Sequence, residues 1–300
     1  MNLNGSICAL ATPFSEGGAA LDLDAFARLI DYQLAAGTRA LVVAGSTGEG
    51  AALEVAEFVR LLEFAVKRVS GRIPVLAGTG QQSTHKSIAL TRIAAESGAD
   101  VALVVTPPYV RPTQEGLYRH FSEIAEHGGL PLVLYNVPTR TACDLLPETV
   151  ARLVGTAGIV GIKEAVPTPE RMQALLALRT DDFAILSGDD PTCMRAILAG
   201  ADGVISVAAN LVPAAMQRLC EAAACADRAS AVQIDQQLGD LYELLGAEPN
   251  PIPLKWCLQQ LGLGDARPRL PLLALSAAHH VRAGRILADL DLLDAVRAAG

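Results

Sequence analysis

The chain has 300 residues, 51% of them apolar and 19% charged, and its 24 basic and 32 acidic side chains leave a formal charge of -8. A chain this apolar is expected to fold, since disorder needs low hydrophobicity and high net charge, and its length suits one α/β barrel of roughly 250 residues with an addition. An acidic balance without a clustered basic patch argues against nucleic-acid and anionic-membrane partners, and no apolar run approaches the roughly 18 residues of a membrane span.

The segment from Met1 to Leu10 has no basic stretch followed by an apolar one, so no secretory leader is expected. Short runs of Val, Ile and Leu then recur between segments of helical period. They begin at Ser6, Ala40, Val75, Val101, Leu132, Val160, Ala184 and Gly203, and as buried strands they predict a parallel sheet with covering helices. The helical segment from Asp24 to Ala36 puts Phe26, Leu29, Ile30 and Leu34 on one face, and the segment from Glu54 to Val69 does the same with Phe58, Leu61, Leu62 and Ala65. Three strands are entered alike, through Gly37, Gly98 or Gly200 and a short polar link; glycine suits the left-handed end of a helix. Eight such units close into a (β/α)8 or TIM barrel. An open doubly wound sheet would show a glycine-rich nucleotide loop after its first strand, and neither G-x-G-x-x-G nor G-x-x-x-x-G-K-[ST] is present. After about Ala226 the strand pattern stops, and Ala- and Leu-rich helical sequence with a proline-rich joint from Glu248 to Trp256 runs to Gly300. The expected division is therefore a barrel over 1–226 and a C-terminal helical extension over 227–300.

Barrel enzymes carry their reactive groups at the carboxyl ends of the strands. Lys163 lies there in the apolar run Ile159-Val-Gly-Ile-Lys-Glu-Ala165. Its neighbour Glu164 must point to the opposite face of a strand and cannot simply neutralise it. An isolated ammonium is costly to bury, and desolvation favours the neutral amine, which is the nucleophilic form. The structural alternative is a lysine paired with a distant carboxylate or reaching solvent. Tyr135 ends the fifth run, where a phenol can relay protons, and Arg140 follows in the loop, where a guanidinium can grip a carboxylate. The turn from Gly45 to Gly50 offers N–H and O–H donors to a carboxylate or phosphate through Ser46 and Thr47. Tyr109, ending Thr106-Pro-Pro-Tyr109, marks by itself only a rigid loop. A strand tyrosine or a glycine-rich turn, taken singly, is more often structural.

Other chemistries fare worse. His85, His120, His127, His279 and His280 form no H-x-x-x-H pair and lie away from strand ends, so they are expected to be solvated helix residues and no metal site is expected. The six cysteines, Cys8, Cys143, Cys193, Cys220, Cys225 and Cys257, make no C-x-x-C pair; they are expected to be reduced core residues of a cytoplasmic protein. No G-x-S-x-G elbow is present, and Asp190-Pro191 suits a helix start.

Gly45-Ser-Thr-Gly-Glu49, Tyr135-Asn-Val-Pro-Thr-Arg140 and Ile162-Lys-Glu-Ala165, in this order, resemble the pyruvate-dependent Schiff-base lyase and synthase family of barrels. The similarity runs almost end to end, from Ala11-Thr-Pro-Phe14 through Gln114-Glu-Gly-Leu-Tyr118, Leu186-Ser-Gly-Asp-Asp190 and Gly203-Val-Ile-Ser206 to Glu248-Pro-Asn-Pro-Ile-Pro253. It implies that Lys163 forms a Schiff base with pyruvate, whose enamine adds to the aldehyde of L-aspartate 4-semialdehyde. That is a step of lysine and diaminopimelate biosynthesis, and no cofactor is implied. Tyr135, Thr47 and Tyr109 would then form a proton relay, with Tyr109 crossing into a neighbouring subunit of a homotetramer built as a dimer of dimers. Ser46 and Thr47 would hold the carboxylate of pyruvate and Arg140 that of the semialdehyde, with Gly188 and Ile205 lining the pocket. The chemistry calls for the same types of group: a neutral amine, an acid near the departing oxygen and two separate anion grips.

Ser46 departs from the two threonines usual in the synthases, and Ser-Thr also occurs in N-acetylneuraminate lyases, so a lyase acting on a sugar acid is the alternative. Arg140 favours a second carboxylate near the imine. A non-catalytic binding barrel is disfavoured by the joint presence of Lys163, Tyr135 and Thr47. In family members inhibited by lysine, two histidines follow the turn, a tyrosine precedes the relay tyrosine, and an asparagine and a glutamate follow the third strand. Val55, Phe58, Pro108, Gln82 and Lys86 stand there instead, leaving Ala51 to offer backbone groups. Insensitivity to lysine is therefore expected.

Overall fold

The computed structural model describes residues 3–292. Eight parallel strands close on themselves: β1 Gly5–Ala9, β2 Ala40–Val43, β3 Val75–Gly78, β4 Val101–Val105, β5 Leu132–Asn136, β6 Ile159–Glu164, β7 Ala184–Ser187 and β8 Gly203–Ser206. Each bonds to the next, and β8 bonds back to β1. The expected barrel is thus formed, with β1 and β6 each starting one residue earlier than the apolar runs indicate. Side chains alternate across each strand. Ile7, Val42, Leu76, Leu103, Val133, Leu186 and Ile205 pack against one another inside the barrel. Cys8, Leu41, Val43, Ala102, Val104, Leu134, Ile162, Ile185 and Val204 pack outward against the helices. Burial on both faces is why the strands have continuous rather than alternating apolar sequence.

The helices follow from their faces. In Leu23–Ala35, Phe26, Leu29 and Ile30 are buried and Leu34 partly so, and Asp22 caps the first turn by accepting from the Ala25 N–H at 2.9 Å. In Val55–Val69, Phe58, Leu61, Leu62 and Ala65 are buried, and Glu54 and Glu57 form a capping box. Gly37, Gly98 and Gly200 have φ of 80°, 87° and 113°, so each helix leaves through a backbone shape that disfavours a Cβ. Pro191 opens the helix Asp190–Leu198 as expected, and Asp190 Oδ2 also accepts from the Val207 and Ala208 N–H groups at 3.0 and 2.8 Å, tying β7 to the exit of β8. After the barrel come helices Pro213–Ala224, Arg228–Leu245, Ile252–Gln260 and His280–Asp289. No helix among the described residues is long and apolar enough to cross a membrane.

His120 corrects one expectation. In the helix Gln114–His127 the buried face is Leu117, His120, Phe121 and Ile124, a spacing of three and four residues that takes the imidazole inward with its neighbours. Its Nδ1 lies 2.9 Å from Thr84 Oγ1, its ring meets Phe121 edge-on, and burial pushes its pKa down to about 4.

Glu164 occupies the outward face of β6. Its carboxylate accepts from the Val166 N–H at 2.8 Å and from Asn136 Nδ2 at 3.1 Å, and Arg171 Nη1 lies 3.5 Å away while its Nη2 reaches Asp144 Oδ2 at 2.6 Å. Desolvation pushes the Glu164 carboxyl up from 4.5 to about 7, against the backbone and Asn136 hydrogen bonds and the Arg171 charge. A carboxyl with a raised pKa binds its proton more tightly in the folded than in the unfolded state. Its contribution to stability is therefore full below 4.5 and lost as pH rises through about 7. Melting temperatures measured across this range should fall less with rising pH in Glu164→Gln than in the parent. Parallel pH profiles would show that Glu164 does not titrate there.

Candidate active site

The carboxyl ends of the strands open into a cavity of about 430 Å³ walled by Ser46, Tyr135, Arg140, Asn250 and the segment Arg269 to Leu272. Tyr135 and Lys163 are direct neighbours across the β5–β6 pair, and both point into the barrel. Lys163 Nζ stands 4.3 Å from the centre of the Tyr135 ring, and the residue is 5% exposed. It thus neither reaches solvent nor, among the described residues, forms an ion pair with a carboxylate. Gly188 follows β7 and donates its N–H to the Glu164 carbonyl at 2.7 Å; a Cβ there would lie 2.9 Å from Lys163 Cε. Ile205 closes the interior below from β8.

The turn after β2 supplies the polar wall. Ser46 faces the cavity, while Thr47 is buried and its Oγ1 accepts from Asn250 Nδ2 at 2.9 Å. Arg140, in the short helix Pro138–Thr141, lines the same cavity and donates from Nη2 to the Asn250 carbonyl at 3.1 Å. The structure thus gathers Lys163, Tyr135, Ser46, Thr47, Arg140, Gly188 and Ile205 around one end of the barrel. Tyr109 stands apart: it is 88% exposed and has φ of 74°.

Three neighbours of the site, Asn250, Lys255 and Arg269, escaped the sequence reading. Asn250 joins Thr47 to Arg140 and carries a buried Oδ1 with no partner among the described residues. Its place among three prolines marks a rigid loop but gives no hint of its contacts. Lys255 donates to Glu49 Oε1 at 2.5 Å, and the Arg269 N–H donates to Glu49 Oε2 at 2.8 Å. Lys255 carried the same signal as Lys163, a cation within an apolar run. Burial lowers its pKa, with Glu49 acting in the opposite direction.

A buried amine facing a phenol at the carboxyl end of a parallel barrel, with hydroxyl and guanidinium anion donors around it, defines a Schiff-base-forming barrel enzyme. The family model described as the dihydrodipicolinate synthetase family matches residues 2–290, and the chain belongs to that family. A relative named 4-hydroxy-tetrahydrodipicolinate synthase, from Xanthomonas axonopodis pv. citri, is 57% identical over 296 residues, covering 99% of this chain and 97% of the relative. The crystal structure of the chloride-inhibited dihydrodipicolinate synthase of Acinetobacter baumannii, complexed with pyruvate, superposes with a TM-score of 0.94 at 41% identity, covering 96% of this chain and 99% of that one. The dihydrodipicolinate synthase of Cyanidioschyzon merolae with lysine bound gives a TM-score of 0.93 at 34% identity, covering 97% and 99% of the two chains.

The close approach at Gly188 makes a direct test of Lys163 placement. A Cβ there would also meet Lys163 Cγ at 3.0 Å and the Glu164 carbonyl at 3.1 Å, so the amine must shift. Gly188→Ala is expected to lower kcat by about 10²-fold, the effect of a misplacement near 1 Å, while far-ultraviolet circular dichroism stays unchanged. An unaltered kcat would mean that the position of Lys163 does not depend on Gly188.

Proposed function

We propose that this enzyme condenses pyruvate with L-aspartate 4-semialdehyde to give 4-hydroxy-tetrahydrodipicolinate, in lysine and diaminopimelate biosynthesis. The observation that carries the reading is Lys163: an amine inside the barrel, 5% exposed, with Tyr135 as its cross-strand neighbour. Its neutral form attacks the ketone carbon of pyruvate, and the carbinolamine loses water to give an iminium. Loss of a proton from the methyl group gives an enamine, whose terminal carbon attacks the aldehyde. The amino group of the second substrate then closes on the former ketone carbon and releases Lys163. Tyr135, with Thr47 and Tyr109, moves protons to and from the departing oxygen. Ser46 and Thr47 hold the pyruvate carboxylate, Arg140 holds that of the semialdehyde, and Gly188 and Ile205 bound the pocket. Arg140 on the cavity wall supports a second carboxylated substrate over a sugar acid.

The assembly proposed is a homotetramer, a dimer of dimers. Its support is Tyr109, a relay residue that its own chain leaves exposed and so places within reach of a second subunit. A cytoplasmic location suits the five buried, unpaired thiols of Cys8, Cys143, Cys193, Cys220 and Cys257. The division into a barrel over 1–226 and an extension over 227–300 is likewise our reading of the chain.

Borohydride reduction in the presence of pyruvate should leave the added mass on Lys163, located by peptide mapping. Label on Lys255 or Lys86 would refute the assignment. Lys163→Arg keeps the charge but removes an amine able to become neutral, so activity should fall by orders of magnitude.

Lysine is not expected to inhibit. Phe58 is buried in the core, Val55 and Lys86 are exposed, and Gln82 edges the cavity, so the positions implied for an inhibitor site carry no carboxylate for the ligand's ammonium. The cation at Lys86 instead repels it. Titration with L-lysine at subsaturating pyruvate decides the point. Half-inhibition below about 1 mM, a binding free energy beyond roughly -4 kcal/mol, would show that other contacts make the site.

A further inference from the structure

The turn from Gly45 to Gly50 is held from several directions at once. Thr12 Oγ1 donates to the Gly48 carbonyl at 2.7 Å, and Asn250 Nδ2 donates to Thr47 Oγ1 at 2.9 Å. Both oxygens of Glu49 are engaged by the C-terminal part of the chain: Oε1 by Lys255 Nζ at 2.5 Å and Oε2 by the Arg269 N–H at 2.8 Å. Lys255 Nζ and Arg269 Cζ also stand 4.2 and 4.3 Å from the centre of the Phe14 ring. Lys255 is 1% exposed and Glu49 5%.

A buried ion pair contributes little net stability over apolar groups of the same shape, and its best-attested use is to specify one arrangement. The arrangement specified here is unusual, because Glu49 has φ of 52°, a left-handed conformation disfavoured by its Cβ. Such a backbone persists only where its surroundings over-determine it. Lys255 also opens the second turn of the helix Ile252–Gln260, which begins two residues after Asn250. The same short segment therefore supplies both the cation for Glu49 and the amide for Thr47.

We infer that the Glu49–Lys255 pair is a positioning device for the first substrate: it locks the turn carrying Ser46 and Thr47 onto the segment carrying Asn250, so that pyruvate meets hydroxyls already in place. This rests on the reading of the site as a pyruvate Schiff-base centre. Glu49 borders the cavity, but both its carboxylate oxygens are engaged by Lys255 and the Arg269 N–H, so the pair acts through Ser46 and Thr47. Loss of the lock weakens pyruvate binding more than it slows the covalent steps at Lys163, and weakens it more than binding of the semialdehyde at Arg140.

The test uses the full chain and borohydride labelling of Lys163, read as the pyruvate concentration that gives half-labelling, beside kcat, both KM values and melting temperature. Lys255→Met leaves a buried carboxylate without its cation and is expected to lower the melting temperature and raise the half-labelling concentration about tenfold or more, roughly 1.4 kcal/mol, with a smaller fall in kcat. The double variant Glu49→Gln with Lys255→Met removes both charges while leaving an acceptor for the Arg269 N–H. It should recover the melting temperature but not the affinity for pyruvate, and it decides the matter where Lys255→Met does not fold. Recovery of pyruvate affinity together with the melting temperature would overturn the inference, as would equal rises in both KM values. A parent enzyme that is not labelled at Lys163 overturns the functional reading and this inference with it. A labelled parent with unshifted variants overturns this inference alone.

Discussion

Successive side chains of a strand face opposite ways, and at the end of β6 that alternation separates two groups with incompatible needs. Lys163 goes inward, beside Tyr135 and against Gly188, into a space where an amine faces a phenol and a glycine. Glu164 goes outward, where Asn136, the Val166 N–H and Arg171 surround it. A slip of one residue would exchange them, putting the amine next to the Arg171 guanidinium and a carboxylate inside the barrel beside Tyr135. After a shift in pairing between Leu132 and Val133, the register is continuous from Gly161 opposite Val133 and Ala184 to Glu164 opposite Asn136 and Ser187. Gly161 contributes by its lack of a side chain: a Cβ would come within 2.7 Å of the Ala184 carbonyl.

Around that pair the site is assembled from pieces with different duties. Strand ends supply the amine of Lys163 and the phenol of Tyr135, the β2 turn supplies hydroxyls, and the region after the barrel supplies Asn250 and the wall from Arg269 to Leu272. The charge balance follows the same division. The chain as a whole is acidic at -8, yet Lys163 and Arg140 stand together at one end of the barrel, while the nearby carboxylates of Glu49 and Glu57 are taken up by Lys255 and Arg269. A net positive local field in an acidic protein suits two anionic substrates and leaves the outer surface self-repelling.

Much of this was legible in the sequence because it depends on local rules. Continuous apolar runs locate strands buried on both faces, and the beginnings at Ala40, Val75, Val101, Leu132, Ala184 and Gly203 coincide with those of β2, β3, β4, β5, β7 and β8. Lys163 declared itself as a cation inside such a run. The contacts of Asn250 and Lys255 were not legible, since their partners Thr47 and Glu49 lie 203 and 206 residues away and only closure of the barrel brings them together. His120 was misplaced for a smaller reason: its helix face is set by Leu117, Phe121 and Ile124, and the imidazole shares their side. Tyr109 shows the reverse case, a residue singled out by resemblance that its own chain leaves exposed.

The span between Glu49 and Arg269, 220 residues, has a consequence for how the enzyme comes into being. A chain emerging from a ribosome presents the β2 turn early and the groups that grip it nearly last. Contacts of such sequence separation carry a high loop-closure entropy and form late in folding. The barrel strands are all available once Ser206 has been made, but the clamp on Glu49 waits for Arg269. A nascent chain can therefore carry Lys163 and Tyr135 and still lack the clamp on the turn that holds Ser46 and Thr47. That turn takes its final shape only once the segment holding Lys255 and Arg269 has been made.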